Sequence, residues 1–277
     1  CCLVGSEMCI RDRDWDLWIG PAKNNGYTPG LHAFSWRGYW EYGTGSLGDM
    51  GCHIMDVPIK ALGIFDPFSI EASVPRVPYV ADFTPAPVYE ESCPPSSYVT
   101  YKFRPSKIND SEVKMIWMDG GIRPSHPEII TDKDQIGDNG ILMLGENGLI
   151  WSDYYGVNAR LYIKGQKGAV EVGKISEINS VEFGHQKHWV DAIKAGFGSE
   201  EHMNLTSNFD FAGPLSEIVL LGNAAIRSSL LKRSPRSNIY IGRKQLLYDS
   251  KKMEITNLDQ ANQFLTRKYR DGWDLNV

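Results

Sequence analysis

Between residues 69 and 165 strand-like runs far outnumber helices able to join them, and this restricts the fold more than any other feature. The runs at 69–74 (SIEASV), 97–103 (SYVTYKF) and 112–118 (EVKMIWM) carry β-branched and aromatic residues in partial alternation, as half-buried strands do. The segment 140–153 (GILMLGENGLIWSD) reads as a hairpin turning at Glu146-Asn147-Gly148, and 159–165 (ARLYIKG) as a further strand. Parallel neighbours need a crossover of a dozen or more residues, usually a helix. Without such helices the strands must pair antiparallel. The expected fold is α+β: an open, mainly antiparallel sheet with helices packed on one face.

Helical signals flank the strands. A helix is expected to begin near Ser46, with apolar residues at Leu47, Met50, Ile54, Ala61 and Leu62, a break at Pro58 and an end at Gly63. Two more are expected over 185–196 and 211–231, and a short strand pair over 239–249. The stretch 75–95 contains six prolines and reads as an extended connection. Asp119-Gly120-Gly121 reads as a turn. From Trp15 to Tyr42 the chain is dense in Trp, Tyr, Gly and Pro, which predicts a loop-rich segment pinned by aromatic side chains.

A net charge of −5 with 23% charged residues gives no reason to expect nucleic acid or an anionic membrane as partner. No apolar run approaches the roughly 20 residues of a spanning helix. Residues 1–13 (CCLVGSEMCIRDR) hold three of the five cysteines and differ in texture from the rest. They read as a non-native or misread leader, leaving 14–277 as the domain. Cys52 and Cys93 then make no disulfide framework, and no CxxC pair is present.

Gly43-Thr44-Gly45-Ser46-Leu47-Gly48 fits G-x-G-x-x-G, the dinucleotide fingerprint, and Asp66 lies near the distance of a ribose-binding acid. The fingerprint requires a buried parallel strand before the loop. Gly38-Tyr39-Trp40-Glu41-Tyr42 is not such a strand, so the run reads as a tight start to a helix where small residues admit close backbone approach.

The chemistry-bearing run is Gly48-Asp49-Met50-Gly51-Cys52-His53-Ile54-Met55-Asp56. Asp49 and His53 share a helical face. A carboxylate one turn from an imidazole can orient the ring and raise its basicity, which suits proton removal from an alcohol. A bare surface contact and a metal site from Asp49, Cys52, His53 and Asp56 are the competing readings; the latter mixes soft and hard ligands without a known spacing. Trp36, Arg37 and His32 in the lead-in, with Thr44, are candidate substrate-binding residues: an aromatic plane and a fixed cation suit sugar stacking and carboxylate contact. Trp117, Asp119 and Gly120 read as structural, His185 and His188 as helix packing, and Lys232, Arg233 and Arg236 as solvated surface.

The run GTGSLGDMGCHIMD resembles the Asp-x-x-x-His segment of the Gfo/Idh/MocA oxidoreductases. WDLWIGPA, FSWRGYWEYG, WMDGG and NFDFAGPLSEIVLLGNAAIR resemble the secreted bacterial branch of that family, so the likeness covers about residues 14–277. It implies a C-terminal substrate and oligomerisation domain, with His53 as acid/base on a sugar hydroxyl and Asp49 assisting. It also implies an upstream Rossmann domain binding NAD or NADP. The family's Glu-Lys-Pro segment is absent from this sequence. The chain is therefore expected to be N-terminally truncated, to bind no cofactor tightly and to be inactive alone. Its expected partners are a sugar, polyol or glycan derivative and further copies of itself, met through the sheet. Two other outcomes stay open: a glycosidase that uses transient oxidation with NAD, and a non-catalytic carbohydrate-binding or oligomerisation module. The compartment, periplasmic or cytoplasmic, is not fixed by the sequence.

Overall fold

A computed structural model describes residues 14–28, 30–31, 34–75, 90–130, 136–170 and 184–273. The leader at 1–13, His32 and most of the proline-rich connection lie outside the described residues. The chain divides into two compact units. The first is Cys1–Cys52, Gly63–Pro124 and Ile218–Val277; the second is His53–Leu62 and Ser125–Glu217.

Among its described residues the first unit has a helix that the loop expectation did not include, α1 (Trp15–Ile19). Asp14 caps it by accepting from the Leu17 N–H at 3.1 Å, and Gly20 ends it at φ +55°. The expected aromatic pinning is present. Trp15 stacks on Trp18 at 4.6 Å between ring centroids, and Tyr27 meets Trp15 edge-on at 5.0 Å. Arg270 ties the segment down, donating to the Gly20 carbonyl at 2.7 Å and to the Asp16 carboxylate at 2.6 Å.

The predicted helix over 46–63 is two, α2 (Gly45–Ile54) and α3 (Asp56–Leu62). The break falls at Met55 rather than at Pro58. Pro58 is the third residue of α3, where its missing N–H is one of the unpaired first-turn donors anyway. Gly63 follows α3 at φ +63°, a left-handed helix end.

Five strands form the sheet of the first unit, in the order β3-β2-β1-β7-β8, all antiparallel. They are β1 (Pro67–Ser73), β2 (Tyr98–Phe103), β3 (Val113–Met118), β7 (Leu246–Asp249) and β8 (Glu254–Ile255). Along β2, Val99, Tyr101 and Phe103 are fully buried and alternate with half-buried Tyr98, Thr100 and Lys102. The long helix α6 (Phe209–Ser228) and α2 pack on the Tyr101 face. Gly222 permits this: a Cβ there would overlap the Tyr101 hydroxyl and lie 2.5 Å from Leu47 Cδ2. By length and hydropathy α6 could cross a membrane, which the run-length reading of the sequence missed. In the fold it packs as a core helix, with Ile218, Leu221, Ala224 and Ala225 buried.

At the sheet edge the predicted strand pair over 239–249 is corrected. β7 begins only at Leu246 and pairs with β8, so the hairpin lies further along, around Met253 at φ +53°. The turn at Asp119 is as expected and is structural. The Asp119 carboxylate accepts from Trp117 Nε1 at 2.7 Å and from the Ser97 hydroxyl at 2.8 Å.

The second unit holds a separate antiparallel meander, β4 (Ile141–Leu144), β5 (Gly148–Ser152) and β6 (Arg160–Ile163). The single sheet expected from sequence is thus two. The stretch between β3 and β4 carries Pro124 and Pro127 and no strand among its described residues, so ladder bonding does not pass through it. Ile130, Leu149, Trp151 and Tyr162 form this unit's core. The unit also contains α3, α4 (Gly184–Ala195) and α5 (Glu200–Met203).

Candidate active site

The glycine run is built to touch its own chain. A Cβ on Gly43 would lie 2.6 Å from the Arg37 carbonyl oxygen, and the Gly43 N–H donates to the Tyr39 carbonyl at 2.7 Å. Gly45, at φ +65°, would place a Cβ 2.9 Å from that of Cys93. A Cβ on Gly48 would enter the Thr44 side chain and lie 3.2 Å from Asn223 Nδ2; one on Gly51 would sit 3.1 Å from Val219. The residues before Gly43 are a 3₁₀ turn (Ser35–Gly38), a lone bridge from Tyr39 to Ser92, and turns. No parallel strand precedes the run, and its backbone packs against Arg37, Cys93 and Thr44.

What these contacts achieve is the placement of Arg37. Its guanidinium forms an ion pair with the Asp49 carboxylate and lies over the Phe34 ring at 3.9 Å. Arg37 and Asp49 are 39% and 35% exposed, so the pair is reachable from solvent. In stability such a pair contributes only about 0–1 kcal/mol. A guanidinium held in one plane retains donors for a second oxygen ligand. Phe34 (66%), Trp36 (39%) and Tyr39 (39%) leave aromatic surface open in the same segment. Cys93 is the nearby thiol, and its Sγ is 3.9 Å from the Arg37 carbonyl oxygen. Burial pushes that thiol up to about 12, although Arg227 opposes the shift.

Asp49 and His53 lie four residues apart in α2, as the spacing predicts. Asp49 is nevertheless bonded to Arg37, not left to orient an imidazole. His53, in the last turn of α2, is exposed, and its ring meets that of Tyr155 edge-on at 5.2 Å and 83°. Thr44 is half-buried and closes against Gly48. Two small concavities are formed elsewhere. One, about 150 Å³, is lined by His185, His188, Trp189, Leu205, Thr206 and Ser207. The other, about 190 Å³, is lined by residues 71–74, Ser229 and Arg243. His53 lines neither.

Three residues that sequence reasoning missed stand beside these groups. Phe34 carries Arg37, and only its position two residues before Trp36 hinted at a role. Asn223 is 5% exposed, lies beside Gly48, and neither polar atom of its amide has a partner among the described residues. Tyr155 had no sequence signal, since tyrosine does not favour its backbone conformation.

Residues 4–76 match the model of the oxidoreductase family's C-terminal alpha/beta domain, of the Gfo/Idh/MocA type, so this stretch bears that family's signature. The match takes in α1, α2, α3 and β1. Among curated proteins, none matches the chain.

Proposed function

We propose that the chain is the substrate-side part of an NAD(P)-dependent oxidoreductase acting on a sugar, polyol or glycan derivative, with His53 taking and returning the hydroxyl proton. One observation carries the reading: at successive turns α2 bears a carboxylate locked to Arg37 and then an exposed imidazole. In this proposal Arg37 donates to substrate oxygens, Asp49 accepts from a substrate hydroxyl, and the open faces of Phe34 and Trp36 stack on a sugar ring. The glycine run does not fit the dinucleotide fingerprint, because it is filled by its own chain and no parallel strand precedes it. The cofactor's site is assigned to sequence other than these residues.

Calorimetry tests the binding half. A panel of polyols and uronic acids should contain a ligand for the 277-residue chain, and Arg37→Ala should weaken it at least about tenfold, or ~1.4 kcal/mol. NAD should give no binding heat at micromolar concentration. Micromolar NAD binding, or a sugar affinity indifferent to Arg37, contradicts the proposal.

A second reading, a non-catalytic carbohydrate-binding module, is favoured by the exposure of Phe34, Trp36 and Tyr39. It requires that His53→Ala leave every activity of the parent enzyme unchanged.

A further inference from the structure

The turn Asp153–Asn158 holds an unusual concentration of left-handed backbone. Tyr155, Gly156 and Asn158 have φ of +68°, +72° and +53°. Glycine and asparagine adopt this region readily; tyrosine does so at a steric cost. The turn is closed by the Asp153 N–H donating to the Val157 carbonyl at 3.0 Å and by Asn158 Nδ2 donating to the Asp153 carboxylate at 2.6 Å. It is seated on α3 through Gly156, where a Cβ would lie 3.0 Å from Val57 Cγ2.

Burial does not explain the tyrosine, because Tyr155 is 56% exposed. A glycine would hold the same turn without strain. What the strained residue achieves is geometric: it sends the Tyr155 ring against Tyr154 on one side, 4.6 Å away, and edge-on to His53 on the other, 5.2 Å away. An exposed imidazole at the end of a helix otherwise samples several rotamers. Strain kept at a half-exposed side chain whose ring contacts are Tyr154 and His53 is the pattern of functional sites.

We infer that Tyr155 is a positioning residue that fixes the plane of the His53 imidazole. The inference rests on the proposed role of His53 for its catalytic meaning, but not for its geometry. The contact is made by the ring and not by the hydroxyl, so phenylalanine should replace tyrosine and glycine should not.

The test uses the 277-residue chain with labelled histidine, the His53 ring signals being assigned by their loss in His53→Ala. In Tyr155→Gly these ring-proton signals should move away from their wild-type positions, because the ring current of Tyr155 is gone; in Tyr155→Phe they should stay. The melting temperature of Tyr155→Gly should not fall, since a left-handed position favours glycine. In the enzyme that carries this chain, Tyr155→Gly should lower kcat about tenfold with KM within about twofold, as misorientation of a reacting group does, and Tyr155→Phe should remain near wild type. Unmoved His53 signals in Tyr155→Gly overturn the inference, even where His53→Ala abolishes turnover and the proposed function stands. Moved signals with unchanged kcat uphold the positioning and instead remove His53 from the chemistry.

Discussion

Replacing Gly222 with alanine should destabilise the protein by about 2 kcal/mol and lower its Tm by roughly 4–8 °C. The methyl would overlap the Tyr101 hydroxyl and press on Leu47, and neither has room to retreat, being 0% and 1% exposed. Helix propensity works the other way, since alanine gains about 1 kcal/mol over glycine in a helix interior. Overpacking of a closed core, at about 1–3 kcal/mol and occasionally more, outweighs it. The same geometry predicts a rescue. The Tyr101 hydroxyl is buried without a hydrogen-bond partner among the described residues, and burial holds it above the usual phenol range. Tyr101→Phe should therefore be neutral or stabilising. Combined with Gly222→Ala it should recover much of the loss, a non-additivity expected of side chains in contact. Denaturant melts of the four proteins measure this directly. A Gly222→Ala protein as stable as wild type would mean that α6 does not pack on the Tyr101 face.

His53→Ala should leave stability unchanged and, in the proposed oxidoreductase, reduce turnover about 10²- to 10⁴-fold. The first half follows from exposure, since surface changes away from buried networks fall within about 0.5 kcal/mol. The second is the usual loss when a proton-transfer group is deleted. KM should change little, because Arg37, Asp49 and the aromatic rings carry the proposed binding. Paired kcat and KM measurements separate the roles: Arg37→Ala should act mainly on KM, and His53→Ala mainly on kcat.

The strands were legible where the alternation was strong. Val99, Tyr101 and Phe103 alternate with polar or half-buried neighbours, and β2 falls within one residue of its predicted start. The helix break was misplaced because Pro58 is an obvious breaker in sequence, yet a first-turn proline is harmless once Met55 has already ended α2. The edge hairpin was misplaced because β7 is too short to show a period before its partner is known. The division into two sheets was hidden because strand-like runs carry no mark of which sheet they join.

Asp49 and His53 were placed on one helical face from their spacing, and their helix is as expected. The ion pair of Asp49 with Arg37 spans twelve residues and a turn; only the course of the backbone past Gly43 and Cys93 reveals it. Tyr155 lies more than a hundred residues from His53 in a conformation that its side chain disfavours, so no local rule selects it.

The most direct test is to follow the His53 ring signals while the 277-residue chain is titrated with the polyol or uronic acid that calorimetry identifies. The account predicts a saturable shift of those signals with the calorimetric Kd, lost together with the binding heat in Arg37→Ala. Binding that saturates while the His53 signals stay still would contradict it.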